Sequence, residues 1–265
     1  MQTTPSQSAR PRTTACVNQA ARAAAQPPFV KLLMSKRVAI VQSSYIPWKG
    51  YFDLIRAVDE FVLYDDTQYT KRDWRSRNLI KTPNGLHWLT VPVEVKGKFN
   101  QRICETRIAG AGWAAQHLNS LRHAYSRAPF FADYRARVEL AYAEAGRESL
   151  LSRSNHVLLL AMCEMLGITT PITWSSYYEQ REGRSERLLS ICQAAGAARY
   201  LSGPAARGYL DTGLFEAAKV GIDFADYSGY REYPQLHGPF EHAVTALDLI
   251  FNVGSDAPKY LKAVA

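Results

Sequence analysis

The chain has 265 residues, of which 47% are hydrophobic and 21% are charged. This composition excludes a disordered chain, a collagen-like repeat and a small disulfide-stapled protein. No apolar run approaches the roughly 18 residues that a membrane span requires, so we expect no membrane span.

The formal net charge of +8 comes largely from the first 36 residues. That segment carries no acid and supplies +5, which leaves +3 for the other 229 residues. A body this weakly charged argues against a nucleic acid as the partner. The cations of the segment are Arg10, Arg12, Arg22, Lys31 and Lys36.

Residues 1–36 predict a disordered extension, because they are rich in small and polar residues and show no structural period. A transit peptide and a natural start at Met34 remain as alternatives for this segment. Residues 37–265 then form a single α/β domain. The cysteines Cys16, Cys104, Cys163 and Cys192 form no CxxC pair, which favours reduced thiols in a cytoplasmic setting.

The first elements in chain order are predicted to form a strand–helix–strand unit. Residues 38–41 and 61–64 are short apolar runs that are typical of strands buried on both faces. Residues 51–58 between them show helical spacing, so the two strands should be parallel. Residues 78–81 and 87–93 flank an Asn-Gly turn and predict a β-hairpin.

The rest of the chain alternates between predicted helices and short strands. Helices are expected over residues 113–125, 129–145 and 152–166, with Ser152 as N-cap, and over a segment capped by Ser185 and ended by Gly196. Strands are expected at residues 172–174, 199–201 and 222–224, and further helices at 210–219 and 244–251. The pattern predicts a three-layer α/β fold: a mostly parallel sheet with helices on both faces, an inserted β-hairpin and a helical middle segment.

The turn over residues 42–50 is the first candidate for a site. It joins a strand to a helix, where ligands of parallel sheets bind, and contains Gln42, Tyr45, Trp48 and Gly50. It lacks the glycines of a Walker A loop, and a packing loop with core aromatic residues explains it equally well.

Asp65 and Asp66 follow the second strand and are the candidate catalytic residues. A carboxylate there could hold Mg²⁺, orient a substrate amine or accept a proton, although paired aspartates are also common in turns. The next segment is rich in cations and aromatic residues suited to phosphate and to ring stacking. Its candidate binding residues are Gln68, Tyr69, Lys71, Trp74, Arg75, Asn78 and Lys81.

Ser202, Gly203 and Arg207 follow a later strand and form the last candidate group. Gly203 permits a close approach of the backbone, and Arg207 could bind an anion, although a plain strand-to-helix turn uses the same residues. The six histidines show no metal-ligand spacing, so we predict no metal site and identify no cofactor.

The motifs together resemble the WbqC-like proteins. The resemblance covers residues 38–254 and rests on IVQSSYIPWKGYFDLI (40–55), FVLYDDTQYTKRDWRSRNLIKTPNG (61–85), WLTVPV (88–93), SERLLSICQAAGA (185–197), YLSGPAARGYLD (200–211) and LDLIFNVG (247–254). It implies that the characteristic polar residues are Gln42, Tyr45, Asp65, Asp66, Gln68, Tyr69, Arg75, Asn78, Lys81, Ser202, Gly203 and Arg207.

WbqC-like proteins are encoded among genes for O-antigen and related surface polysaccharides. The resemblance therefore implies work on sugars or sugar nucleotides in the cytoplasm. The first hypothesis for the activity is a transferase that acts on a sugar nucleotide or amino sugar, by acyl or aminoacyl transfer. The expected partner is a phosphate-bearing small molecule. A protein that binds nucleic acid or an RNA adduct, and a non-catalytic scaffold of a polysaccharide assembly complex, are the alternatives.

Overall fold

Five parallel strands form the central sheet of the computed structural model, which describes residues 36–262. The strands are β1 (Arg37–Val41), β2 (Glu60–Leu63), β5 (Ile172–Trp174), β6 (Arg199–Ser202) and β7 (Gly221–Phe224), in the order β5-β2-β1-β6-β7. The expected parallel pairing of the first two strands is confirmed, with Val38 opposite Glu60 and Val41 opposite Leu63. The predicted extension falls almost wholly on residues 1–35, which lie outside the described residues, as do the alternative interpretations of that segment.

Two apolar cores lie on opposite faces of this sheet. Ala39 and Leu63 belong to one core, whereas Val38, Ile40 and Val62 belong to the other. This division follows from the alternation of side chains along a strand. The three-layer α/β prediction, with helices on both faces, is therefore confirmed.

Seven α-helices lie in the described part of the chain. They are α1 (Lys49–Arg56), α2 (Trp113–Tyr125), α3 (Phe131–Ala145), α4 (Leu151–Met165), α5 (Arg184–Ala194), α6 (Thr212–Ala217) and α7 (Ala246–Val253). Apolar residues of α1 to α4 and α7 contribute to the first core, and those of α5 and α6 to the second. No helix among residues 36–262 combines the length and apolar character of a membrane span.

The predicted hairpin is present and stands apart from the main sheet. Its antiparallel strands are β3 (Arg77–Thr82) and β4 (Gly85–Thr90), with Thr82 opposite Gly85. Gly85 has a φ of 98°, which a side chain would disfavour, so glycine suits this tight turn. Residues 91–93, predicted to extend the second strand, lie beyond its end.

Two predicted helix caps are wrong because their hydroxyl groups bond elsewhere. Leu150 occupies the N-cap of α4, and Ser152 lies inside the helix, where its Oγ donates to the Asp65 carboxylate. Gly183 occupies the N-cap of α5, and the Oγ of Ser185 accepts from the backbone N–H of Asp211 at 3.0 Å. In both cases the serine hydroxyl bonds a residue that is distant in sequence instead of capping its own helix.

Candidate functional site

A cavity of about 640 Å³ opens at the carboxyl ends of β1 and β6. Val41 and Gln42 line it from β1, and Ser202 and Gly203 line it from β6. The chain runs from β1 outward to β2 and β5, and only later fills the other side with β6 and β7. The cavity therefore lies at the point where the strand order reverses, which is where open α/β sheets bind ligands.

Two arginines of α5 enter this large cavity. Arg184 and Arg187 line it together with Gly183 at the helix N-terminus. Neither arginine has a carboxylate within 4.0 Å among the described residues, and the buried Nε of Arg187 has no hydrogen-bond partner there. The Cζ of Arg184 lies 4.5 Å from the ring centroid of Tyr209, which also lines the cavity. The large cavity is thus suited to an anionic group.

The side chain of Gln42 is fixed from two sides at the wall of the large cavity. Its Nε2 donates to Thr67 Oγ1 at 2.7 Å, and its Oε1 accepts from Arg75 Nη1 at 3.0 Å. Its backbone carbonyl accepts from the Tyr51 hydroxyl at 2.9 Å. The Gln42–Arg75 bond is thus one of the contacts that join the turn after β1 to the cation-rich segment.

A second, smaller cavity of about 290 Å³ lies on the Arg75 side of this contact. Aromatic rings and a few polar groups form its wall: Ser44, Pro47, Trp48, Tyr51, Trp74, Arg75, Asn78, His242 and Ala243. The guanidinium-bearing side chain of Arg75 is only 12% exposed, although its nearest carboxylate oxygen, Oδ2 of Asp73, lies 3.8 Å away. Four of the predicted binding residues, Trp48, Trp74, Arg75 and Asn78, thus share this cavity.

Asp65 lies beneath the site rather than in it. The residue is 1% exposed and lines neither cavity. One carboxylate oxygen accepts from the backbone N–H of Ser43 at 2.7 Å, and the other accepts from Ser152. Burial raises the pKa of Asp65, while these hydrogen bonds and the charge of Arg75 act in the opposite direction. Asp65 therefore holds the turn after β1 against α4.

Asp66 is less buried but also lines neither cavity. Its Oδ2 accepts from Ser175 Oγ at 2.5 Å and from Gln180 Nε2 at 2.9 Å. Its Oδ1 lies 3.8 Å from Cys104 Sγ and 3.9 Å from an Arg102 nitrogen. The next residue along the chain that reaches the large cavity is Thr67.

Three predicted binding residues serve the core instead. The Tyr45 hydroxyl is buried and lies 2.7 Å from His117 Nδ1 and 2.6 Å from the Tyr142 hydroxyl. Lys81 donates to Gln235 Oε1 at 2.7 Å. A Cβ added to Gly50 would overlap the Trp48 indole, so Gly50 supports Trp48 rather than a phosphate.

The other predicted residues are divided between surfaces. Gln68 lines the large cavity and donates to the carbonyl of Phe99 at 2.9 Å. Tyr69 and Lys71 line a separate shallow groove beside the hairpin. Arg207 lines neither cavity, and its Cζ lies 4.3 Å above the ring of Phe224.

Sequence reasoning missed Arg184, Arg187, Tyr209 and His242. Arginines in the first turn of a helix are a usable signal, but assigning the cap to Ser185 hid the helix start. His242 follows no motif, and only the path of the chain brings it to the small cavity. No group of three or more His, Cys, Asp or Glu side chains within residues 36–262 could hold a metal ion.

Comparisons with known proteins find a matching family and a relative in sequence, and no match among solved structures. The WbqC-like protein family matches residues 42–260. Uncharacterized protein Rv1507c of Mycobacterium tuberculosis (strain ATCC 25618 / H37Rv) is 53% identical over 227 residues, which is 86% of this chain and 98% of that protein. No solved structure matches the chain. The chain belongs to the WbqC-like protein family.

Proposed function

We propose that this protein is a cytoplasmic transferase that acts on a sugar nucleotide or amino sugar in surface polysaccharide biosynthesis. The observation that carries the proposal is the large cavity, where Arg184 and Arg187 have no carboxylate partner among the described residues. Arg187 is half-buried and Arg184 is exposed, and a half-buried cation without a carboxylate partner favours the binding of an anion. The diphosphate of an activated sugar supplies such an anion.

The large cavity, at about 640 Å³, has the size of pockets that hold a whole small ligand, so it has room for a second reactant beside the phosphates. Holding two reactants in a fixed geometry is a major source of catalytic rate. In acyl or aminoacyl transfer, a sugar amine forms a bond to the donor carbonyl carbon, the carbonyl–carrier bond breaks, and the amine loses a proton to a base. We assign both aspartates to positioning, because neither lines a cavity: Asp65 fixes the turn after β1, and Asp66 bonds Ser175 and Gln180.

The first test is the binding of inorganic pyrophosphate and of UDP-, dTDP- and GDP-sugars by isothermal titration calorimetry. Arg187→Gln should weaken binding by roughly 10-fold or more, because a charge-assisted hydrogen bond contributes about 1.5–3 kcal/mol. Arg135→Gln is the matched control, since Arg135 lies on α3 away from both cavities. Equal affinity of the wild type and Arg187→Gln would contradict the assignment.

The second test is turnover. The protein is incubated with the sugar nucleotide that binds, an amino sugar, and acyl or aminoacyl donors, and the products are identified by mass spectrometry. We expect Asp66→Asn to retain binding but to lower product formation, because Asp66 directly precedes Thr67, which lines the large cavity. Binding without any product across the donor panel would favour the scaffold alternative.

An exposed pair of tryptophans favours nucleic-acid binding as a second candidate. Trp74 and Trp88 are 43% and 39% exposed, and their ring centroids are 5.4 Å apart. The Cζ of Arg77 lies 4.1 Å from the Trp88 ring. Exposed aromatic side chains on which bases can stack, with cations beside them, are typical of proteins that bind single strands. Affinity for a single-stranded RNA that falls steeply between 50 and 200 mM salt would support this candidate.

A further inference from the structure

The small cavity has rigid aromatic walls. The Trp48 indole packs edge-to-face against Tyr227 and Tyr230, with ring centroids 5.2 and 5.5 Å away. The indole packs against Gly50, where an added Cβ would come within 2.3 Å of a ring carbon of Trp48. Trp74 contributes a second indole from the cation-rich segment. Aromatic walls held in place from behind suit a flat ring, because little order is lost when the ring binds.

The His242 imidazole in this cavity has hydrogen-bonding capacity that the described residues do not use. The buried Nδ1 of His242 has no hydrogen-bond partner among the described residues. Asn78, by contrast, uses its Nδ2 on two backbone carbonyls and its Oδ1 on the N–H of Leu79. Burial lowers the pKa of His242, so the imidazole is neutral at pH 7 and offers one donor and one acceptor. A ring with polar atoms on its edge suits a neutral imidazole at the wall of the cavity.

Arg75 lines the small cavity and bonds Gln42, which lines the large one. Its Nη1 bonds the neutral amide oxygen of Gln42, and its buried Nε has no hydrogen-bond partner among the described residues. The large cavity begins on the far side of Gln42 and carries Arg187. A single ligand with a flat polar ring at one end and phosphates at the other matches this spatial order of an aromatic cavity, Arg75 and a cavity that carries Arg187.

We propose that the small cavity binds the base of a nucleotide whose phosphates extend past Arg75 into the large cavity. This inference rests on the proposed binding of a phosphate-bearing ligand in the large cavity. It assigns the ring of that ligand to Trp48, Trp74 and His242. The base adds affinity through stacking, which inorganic phosphate compounds lack.

The test compares UDP, ADP and GDP with inorganic pyrophosphate by isothermal titration calorimetry on the full chain. We expect one or more of the nucleoside diphosphates to bind at least 10-fold more tightly than pyrophosphate and to quench tryptophan fluorescence. Trp74→Ala should lower the affinity of that nucleotide by roughly 10-fold and leave pyrophosphate binding unchanged. Trp74→Phe retains a ring and should keep most of the affinity. Tyr177→Ala is the control, because Tyr177 is 68% exposed and lines neither cavity.

Two negative outcomes are distinguishable. If pyrophosphate binds and depends on Arg187, but no nucleotide binds more tightly or Trp74→Ala has no effect, the base site is refuted and the large-cavity proposal stands. If neither pyrophosphate nor any nucleotide binds, the proposed function fails and the base site fails with it.

Discussion

The guanidinium of Arg75 donates a 3.0 Å hydrogen bond to the side-chain oxygen of Gln42, and this bond separates the two cavities of the site. The residues are 33 positions apart, and each is fixed by further contacts. Thr67 holds the other end of the Gln42 amide, and Asp65 contributes a negative charge near Arg75. The contact therefore couples the turn after β1 to the cation-rich segment.

Replacing Arg75 should weaken ligand binding without unfolding the protein. The Arg75→Lys variant keeps the positive charge but loses the planar guanidinium group, which bonds Gln42 and lines the small cavity. We expect the affinity for the tightest nucleoside diphosphate to fall by roughly 10-fold, as for the loss of one charge-assisted hydrogen bond. Calorimetry measures the change, with Arg72→Lys on the exposed part of the same segment as the control. Unchanged affinity would remove Arg75 from the binding site.

Gly50→Ala should disturb the small cavity through Trp48. Alanine normally stabilises a helix relative to glycine by about 1 kcal/mol, but here its Cβ would displace the Trp48 ring. We expect nucleotide affinity to fall while pyrophosphate affinity is retained. Gly213→Ala in α6 is the matched control, because an added Cβ there meets only Asp211 Oδ1, at 3.4 Å. Equal nucleotide binding by both variants would argue against a fixed Trp48 wall.

Tyr45→Phe should reduce stability and leave ligand binding unchanged. The lost hydroxyl is fully buried between His117 and Tyr142, so its removal leaves their polar atoms without a partner. The free energy of unfolding should fall by about 1–3 kcal/mol, as measured by urea denaturation. Tyr177→Phe on the surface should cost almost nothing. A Tyr45→Phe protein of normal stability that binds ligand poorly would return Tyr45 to the site.

Lys49 should make stability depend on pH in the alkaline range. Burial lowers the pKa of Lys49 to about 8 from an ordinary value of 10.5, and its Nζ lies 4.8 and 5.0 Å from the rings of Tyr230 and Tyr233. At a pH between these two pKa values, the unfolded chain binds more protons at Lys49 than the folded chain does. The free energy of unfolding therefore rises with pH over this window.

Lys49→Met lacks this proton and isolates its contribution. We expect the wild type to gain stability relative to Lys49→Met as the pH rises from about 8 to 10.5, in urea denaturation series at fixed salt. Lys71→Met, on the exposed cation-rich segment, is the control for the loss of a surface lysine. A constant difference between the wild type and Lys49→Met would show that the ammonium is well solvated in the folded state.

The amino-acid sequence by itself determined the α/β class, the parallel pairing of β1 with β2 and the hairpin, because apolar runs and turn residues are local signals. It also indicated Gln42, Trp48, Trp74 and Arg75, since strand ends and cation-rich loops are recognisable along the chain. Only the tertiary structure decided which of these side chains share a cavity. Asp65 lies two positions before Thr67, which lines the large cavity, but its own carboxylate is buried in hydrogen bonds with Ser43 and Ser152. Arg187 lines the same cavity as Gln42, although more than a hundred residues separate the two in sequence. Sheet order and helix crossovers bring such residues together, and neither is encoded in a local period.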